Sequence, residues 1–223
     1  MIVALLGAES TGKTALAHAL AQQLQQQGKD AVAVDEYLRE WCAVHGRTPQ
    51  QHEQAGIAAE QQKRIAAAAA QHSVVVADTT ALMTAVYSDY VFSDRSLYAQ
   101  AAAQHAICDI TLVAGLDVPW QPDGIQRDGE HARAPVDALL RNALNQAQIT
   151  YSTVYGLGQQ RLENAMNSIA TRAINTWTTS QNSTKKWVWV CDKCSDADCE
   201  HQLFTQLDKA SAGQTIVVLT APF

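Results

Sequence analysis

GAESTGKT, Gly7 to Thr14, follows the apolar run Ile2-Val3-Ala4-Leu5-Leu6 and opens a segment, Lys13 to Gln27, in which Leu16, Ala19, Leu20 and Leu24 recur at helical spacing before Gly28. A buried strand, a glycine loop and a helix in that order are what a phosphate-binding loop requires. Gly7-x4-Gly12-Lys13-Thr14 matches the Walker A pattern in full. Its chemistry is specific: backbone N–H groups of Glu9, Ser10, Thr11 and Gly12 wrap phosphate oxygens, the helix N-terminus adds positive potential, Lys13 meets the β- and γ-phosphates, and the Thr14 hydroxyl ligates Mg²⁺. ATP and Mg²⁺ are therefore the expected cofactors.

The rest of the chain repeats the strand and helix alternation. Ala31 to Val34 reads as a second strand ending on Asp35 and Glu36, with a helix in YLREWCAV. Gln50 to His72 is rich in Ala, Gln and Glu and predicts one long helix. Ser73 to Asp78 (SVVVAD) is a third strand, and two helices fill Thr79 to Ala106, broken near Ser93-Asp94. Ile107 to Ala114 and Ile149 to Val154 are further strands, followed by helices over Pro135 to Gln148 and Leu157 to Thr178 respectively. The expected fold is α/β, a P-loop NTPase of kinase-like type, with a mostly parallel five-stranded sheet covered by helices on both faces.

A chain of 223 residues suits one domain with an appendage. The composition changes near Ser180, so the expected division is a P-loop domain over 1–180 and a small Cys-rich extension over 181–223. In the extension, Cys191-x2-Cys194-x4-Cys199-x-His201 offers three thiolates and an imidazole, candidate ligands of a structural zinc ion; a cysteine-rich turn without metal is the alternative. A net charge of −6 disfavours a nucleic-acid partner, and no apolar run is long enough for a membrane span. The N-terminus lacks a signal-peptide pattern, so the expected location is the cytoplasm. A homo-oligomer stays open.

Strand-end carboxylates face the ligand crevice of an open α/β sheet. Asp78 is the candidate Mg²⁺ partner, and an N-cap of the next helix is its alternative. Asp35 and Glu36 are the candidates for the base that accepts a hydroxyl proton; one of them capping a helix is the alternative. Between the fourth strand and the next helix runs LDVPWQPDGIQRDGEHARAP, long and aperiodic, hence a functional loop. There Arg127 and Arg133 read as lid residues for the transferring phosphoryl group, or as solvated surface arginines, and Trp120 as a stacking platform or packing anchor.

GAESTGKT, VDEYLREW, the acid-ended strand with DTTALMTAVYSDYVF, LDVPWQPDGIQRDG and VYGLGQQRLENA together resemble the ribosylnicotinamide kinase domain of the NadR type, over roughly Met1 to Ala173. That family belongs to the P-loop kinases and transfers the γ-phosphate of ATP to the ribose 5′-hydroxyl of nicotinamide riboside. The resemblance implies that Lys13 and Thr14 serve ATP and Mg²⁺, that Arg161 serves the nucleotide, and that Glu36 and Arg39 lie beside the substrate. It also places Trp120 and Asp123 near the nucleoside and Arg127 and Arg133 in the lid. Family members often read DTD where this chain has Asp78-Thr79-Thr80. The family's adenylyltransferase and DNA-binding modules are absent from the sequence, so no repressor role is expected. Nicotinamide riboside is a pyridinium cation, which an indole face and carboxylates would attract. The competing expectation is a P-loop ATPase switch that contacts a protein partner through its extension.

Overall fold

The computed structural model describes residues 1–121 and 129–179, with side chains through residue 172. Five strands form one sheet: β1 (Ile2–Leu6), β2 (Ala31–Val34), β3 (Val74–Asp78), β4 (Ile110–Ala114) and β5 (Ser152–Val154). Their spatial order is β2-β3-β1-β4-β5, and every neighbouring pair is parallel. The helices are α1 (Lys13–Gln26), α2 (Tyr37–His45), α3 (Gln54–Ala69), α4 (Ala81–Phe92), α5 (Tyr98–His105), α6 (Arg133–Gln146) and α7 (Gly158–Thr179).

Strand periodicity divides the core between the two faces. Val3 and Leu5 of β1 pack with Leu16, Leu20 and Leu24 of α1 and Ile169 of α7. Ala4 and Leu6 point the other way, onto Leu82 and Val86 of α4 and Leu140 and Leu144 of α6. Because β1, β3 and β4 are buried on both faces, they read as mostly apolar runs, interrupted only by Thr111 in β4 and by Asp78 at the end of β3.

Several boundaries move from the sequence expectation, each for a local reason. The long helix expected from Gln50 begins as a 3₁₀ turn over Gln51–Glu53, where the Glu53 carboxylate accepts the Gln50 N–H at 2.7 Å. β4 starts at Ile110 because the Cys108 N–H closes onto His105 O, and Asp109 is used to bind the Ile2 N–H at 2.7 Å. β5 is shortened because Gln148 takes φ 55° and the Ile149 N–H returns to Leu144 O. The extension over 181–223, with Cys191, Cys194, Cys199 and His201, lies outside the described residues. So do Asp123 and Arg127. Among the described residues, no group of three or more His, Cys, Asp or Glu could hold a metal ion, and no helix is long and apolar enough to cross a membrane.

Candidate active site

The phosphate loop leaves the carboxyl end of β1, the middle strand, and turns directly into α1. Gly12 is the N-cap at φ 74°, a left-handed conformation in which a side chain would be strained, and it supplies no side-chain cap. The first N–H groups of α1 are thereby left to an anion. Gly7 lies against β4: a Cβ there would meet Ala114 Cβ and O at 3.1 Å. Thr11 Oγ1 and Lys13 Nζ both donate to Ala8 O, at 2.7 and 2.9 Å, and fix the curl of the loop. A recess of about 230 Å³ opens over Ser10 to Ala15, with Arg39 on its rim.

Asp78, at the end of β3, accepts the Thr14 hydroxyl at 2.5 Å through Oδ2. Its Oδ1 is buried without a hydrogen-bond partner. An orphaned carboxylate oxygen beside a threonine hydroxyl is a hard oxygen donor set that fits Mg²⁺. The capping alternative fails, because the N-cap of α4 is Thr80, whose hydroxyl accepts the Leu82 N–H. Between them Thr79 has φ 75°, a strained value for a β-branched residue, and its N–H is held by Leu5 O at 3.0 Å.

Asp35 and Glu36 part company at the end of β2. Asp35 is largely exposed and pairs with His18 of α1 at 2.8 Å. Glu36 turns inward, its side chain only 15% exposed, and meets Arg39 Nε at 3.2 Å. Buried Gln61 of α3 sets this turn: its Oε1 accepts the Tyr37 N–H at 2.7 Å and its Nε2 donates to Asp35 O at 3.3 Å, on either side of Glu36. Glu36 stands at the N-cap of α2 but makes no side-chain cap bond. Burial raises its pKa above the ordinary carboxylate value, and Asp78 pushes the same way; Lys13 and Arg39 oppose them.

Lys13 and Glu36 sit at one end of a cavity of about 460 Å³. Its further walls include Leu38 of α2, Gln54 of α3, and Met83, Tyr87 and Phe92 of α4. The segment Arg47-Thr48-Pro49-Gln50 forms a lip, braced by the Arg47–Glu53 ion pair at 2.7 Å and by Arg47 over the Trp41 ring at 4.9 Å. Tyr87 and Phe92 escaped the sequence reading because α4 is apolar nearly all round, so no amphipathic stripe marks the face turned to the cavity. Gln61 left no signal that distinguishes it from the other glutamines of α3.

Two of the loop residues expected at the site, Trp120 and Arg133, lie within the described residues. Trp120 does not line the cavity, and its Nε1 is buried without a partner. Arg133, at the start of α6, is 7% exposed and donates through Nη2 to Leu116 O and Val118 O, at 3.0 and 2.8 Å. It braces the β4–α6 loop from below, where a lid residue over the phosphates was expected. Arg161 is also buried; it pairs with Asp117 at 3.1 Å and donates to Gly156 O at 2.9 Å, tying the turn after β4 to the turn after β5. The phosphate loop itself holds both approaches to the segment 122–128. Ser10 Oγ accepts the Gln121 N–H at 2.7 Å, and Glu9 Oε1 accepts the Gly129 N–H at 3.0 Å.

A central parallel strand, a glycine loop curled on its own carbonyl and an acid-ended neighbouring strand beside the loop's threonine define a P-loop nucleotide-binding protein. The profile of a family described as AAA domain matches residues 2–161. The chain belongs to that family, whose P-loop implies ATP and Mg²⁺. The fold is similar to a solved structure described as NadR protein in complex with NR, with a TM-score of 0.60 and 21% sequence identity. The match covers 77% of this chain and 50% of that one, so the chain spans half the length of this neighbour. No protein of curated function matches the chain.

Proposed function

We propose that this chain is an ATP-dependent nucleoside kinase that transfers the γ-phosphoryl group to the ribose 5′-hydroxyl of nicotinamide riboside. The products are ADP and nicotinamide mononucleotide, which places the reaction in pyridine-nucleotide salvage. The observation that carries this reading is the 460 Å³ cavity, which begins at Lys13 and Glu36 and so joins an acceptor-sized space to the phosphate loop. A nucleotide switch has no use for such a space. The fold shared with NadR protein, solved with NR, supports the choice of acceptor.

The chemistry follows from the residues. Backbone N–H groups of the loop and Lys13 hold the donor phosphates, while Thr14 and Asp78 would hold Mg²⁺. When bound there, the metal would supply neutralisation of the phosphate charge. Glu36 accepts the proton of the 5′-hydroxyl as its oxygen bonds to the γ-phosphorus, and the bond to the β-γ bridging oxygen breaks to release ADP. Its raised pKa makes Glu36 a stronger base than an exposed carboxylate. Tyr87 and Phe92 offer faces to a pyridinium ring, and Glu9 and Glu36 add negative charge to the same cavity.

The test is ADP formation by purified protein with ATP, Mg²⁺ and a panel of nucleosides, with Lys13→Ala as control. The expected result is release stimulated by nicotinamide riboside far more than by neutral nucleosides, and lost in the variant. Hydrolysis indifferent to every nucleoside would instead point to the switch.

A further inference from the structure

In an in-line transfer the moving group passes from the phosphate recess to the acceptor cavity, so whatever stabilises it must border both. Among the described residues two side chains do so: Lys13, already part of the loop, and Arg39 of α2. Among the described residues no other arginine borders both. Arg133 and Arg161 are buried against the carbonyls of the β4 and β5 turns. Arg47 is held by Glu53 and the Trp41 ring.

Arg39 is also built into position. It lies one turn beyond Glu36, which accepts its Nε–H at 3.2 Å. The helix that carries it is fixed to α3 at both its start and its middle: Gln61 holds the Tyr37 N–H, and Arg64 stacks over the Tyr37 ring at 4.3 Å while gripping Glu40 at 2.6 and 3.0 Å. A guanidinium is planar, always charged and matched to phosphoryl oxygens, which suits this boundary better than a flexible amine.

We infer that Arg39 is a catalytic residue that contacts the γ-phosphoryl group of the bound nucleotide and stays on it through transfer. This inference rests on the phosphoryl-transfer reading above and adds the group that neutralises the moving charge. By linking the γ-phosphoryl to Glu36, Arg39 would also align the base with the atom its substrate attacks.

The experiment compares the wild type with Arg39→Lys and Arg39→Gln in two readouts. The first is acceptor-dependent turnover. Arg39→Gln should lower kcat by about 10³-fold, with acceptor KM nearly unchanged, and Arg39→Lys should recover part of the loss. The second is equilibrium binding of the Mg²⁺ complexes of ADP and of a non-hydrolysable ATP analogue. Arg39→Gln should weaken the analogue by about tenfold and ADP by less than about twofold, because ADP lacks the contacted group. Unchanged kcat, or equal loss of both nucleotides, overturns the inference. A wild type without acceptor-dependent turnover would overturn the kinase reading instead, and the binding comparison would then decide the role of Arg39 by itself.

Discussion

Glu36 carries a conflict between what the proposed reaction needs and what folding favours. Its carboxylate is withdrawn from water beside Asp78, and Lys13 and Arg39 recover only part of the cost, so its folded pKa lies above the unfolded one. For such a group the stabilising contribution is present below the unfolded pKa and is lost as pH rises through the folded value. The ionised base that the proposed transfer needs thus forms at the expense of stability. Glu36→Gln should lower kcat by about 10²–10⁴-fold while raising the melting temperature at about pH 8, and the gain should shrink toward about pH 5. Paired melting curves and ADP-release rates check this; a lower melting temperature at the alkaline pH counts against it. Two adjacent acids at the end of β2 were plain in the sequence, but not which one faces inward. That choice is made by Gln61, whose two hydrogen bonds to the flanking backbone come from a helix further along the chain.

Between elements, a buried strut on the α4 face of the sheet links the Asp78 end of the site to β4. Thr80, the N-cap of α4, bonds His105 Nδ1 at 3.0 Å, and His105 Nε2, at the end of α5, bonds Thr111 of β4 at 2.8 Å. Thr80 already accepts the Leu82 N–H, so its own hydroxyl proton suits Nδ1, and Nε2 then carries the proton given to Thr111. His105 is 2% exposed, and desolvation pushes its pKa down to about 4. An imidazole with a folded pKa below its unfolded value stabilises fully above the unfolded pKa, near 6.5, and progressively less as pH falls toward about 4. Over that window the wild type should lose roughly 3 kcal/mol through this group. His105→Gln should be less stable by about 1–3 kcal/mol at neutral pH and lack that part of the acid slope. Denaturant unfolding of both proteins across the window tests it, and parallel curves would remove the strut from the account.

At the scale of the molecule, the strand and helix alternation was legible because parallel strands covered on both faces are mostly apolar, as in Val74 to Ala77 before Asp78 and in Ile110 to Ala114 around Thr111. The strand order was not legible. It depends on which crossovers pack over which face, and it decides that β3, with Asp78, lies beside the phosphate strand. The 460 Å³ cavity was hidden for the same reason, since α2, α3 and α4 meet around it only in the folded chain. Trp120 and Arg133 illustrate the converse: a loop's composition marks it as functional, but backbone carbonyls and packing determine where its side chains go. A site spread over β1, α1, β2 and β3 makes nucleotide binding a clamp on three adjacent strands of the sheet. A ligand that binds only the folded form stabilises it by about 2.7 kcal/mol at a hundredfold excess over Kd, which is roughly 5–10 °C in melting temperature for a protein of this size. Mg²⁺ with ATP should produce a shift of that order. Asp78→Asn should leave most of the shift seen with ATP alone but remove most of the increment due to Mg²⁺, because it takes away the negative charge of the carboxylate proposed for the metal. Thermal scans with ATP, with Mg²⁺ and with both, on the two proteins, measure that increment directly; an unchanged increment in Asp78→Asn would place the metal on other groups.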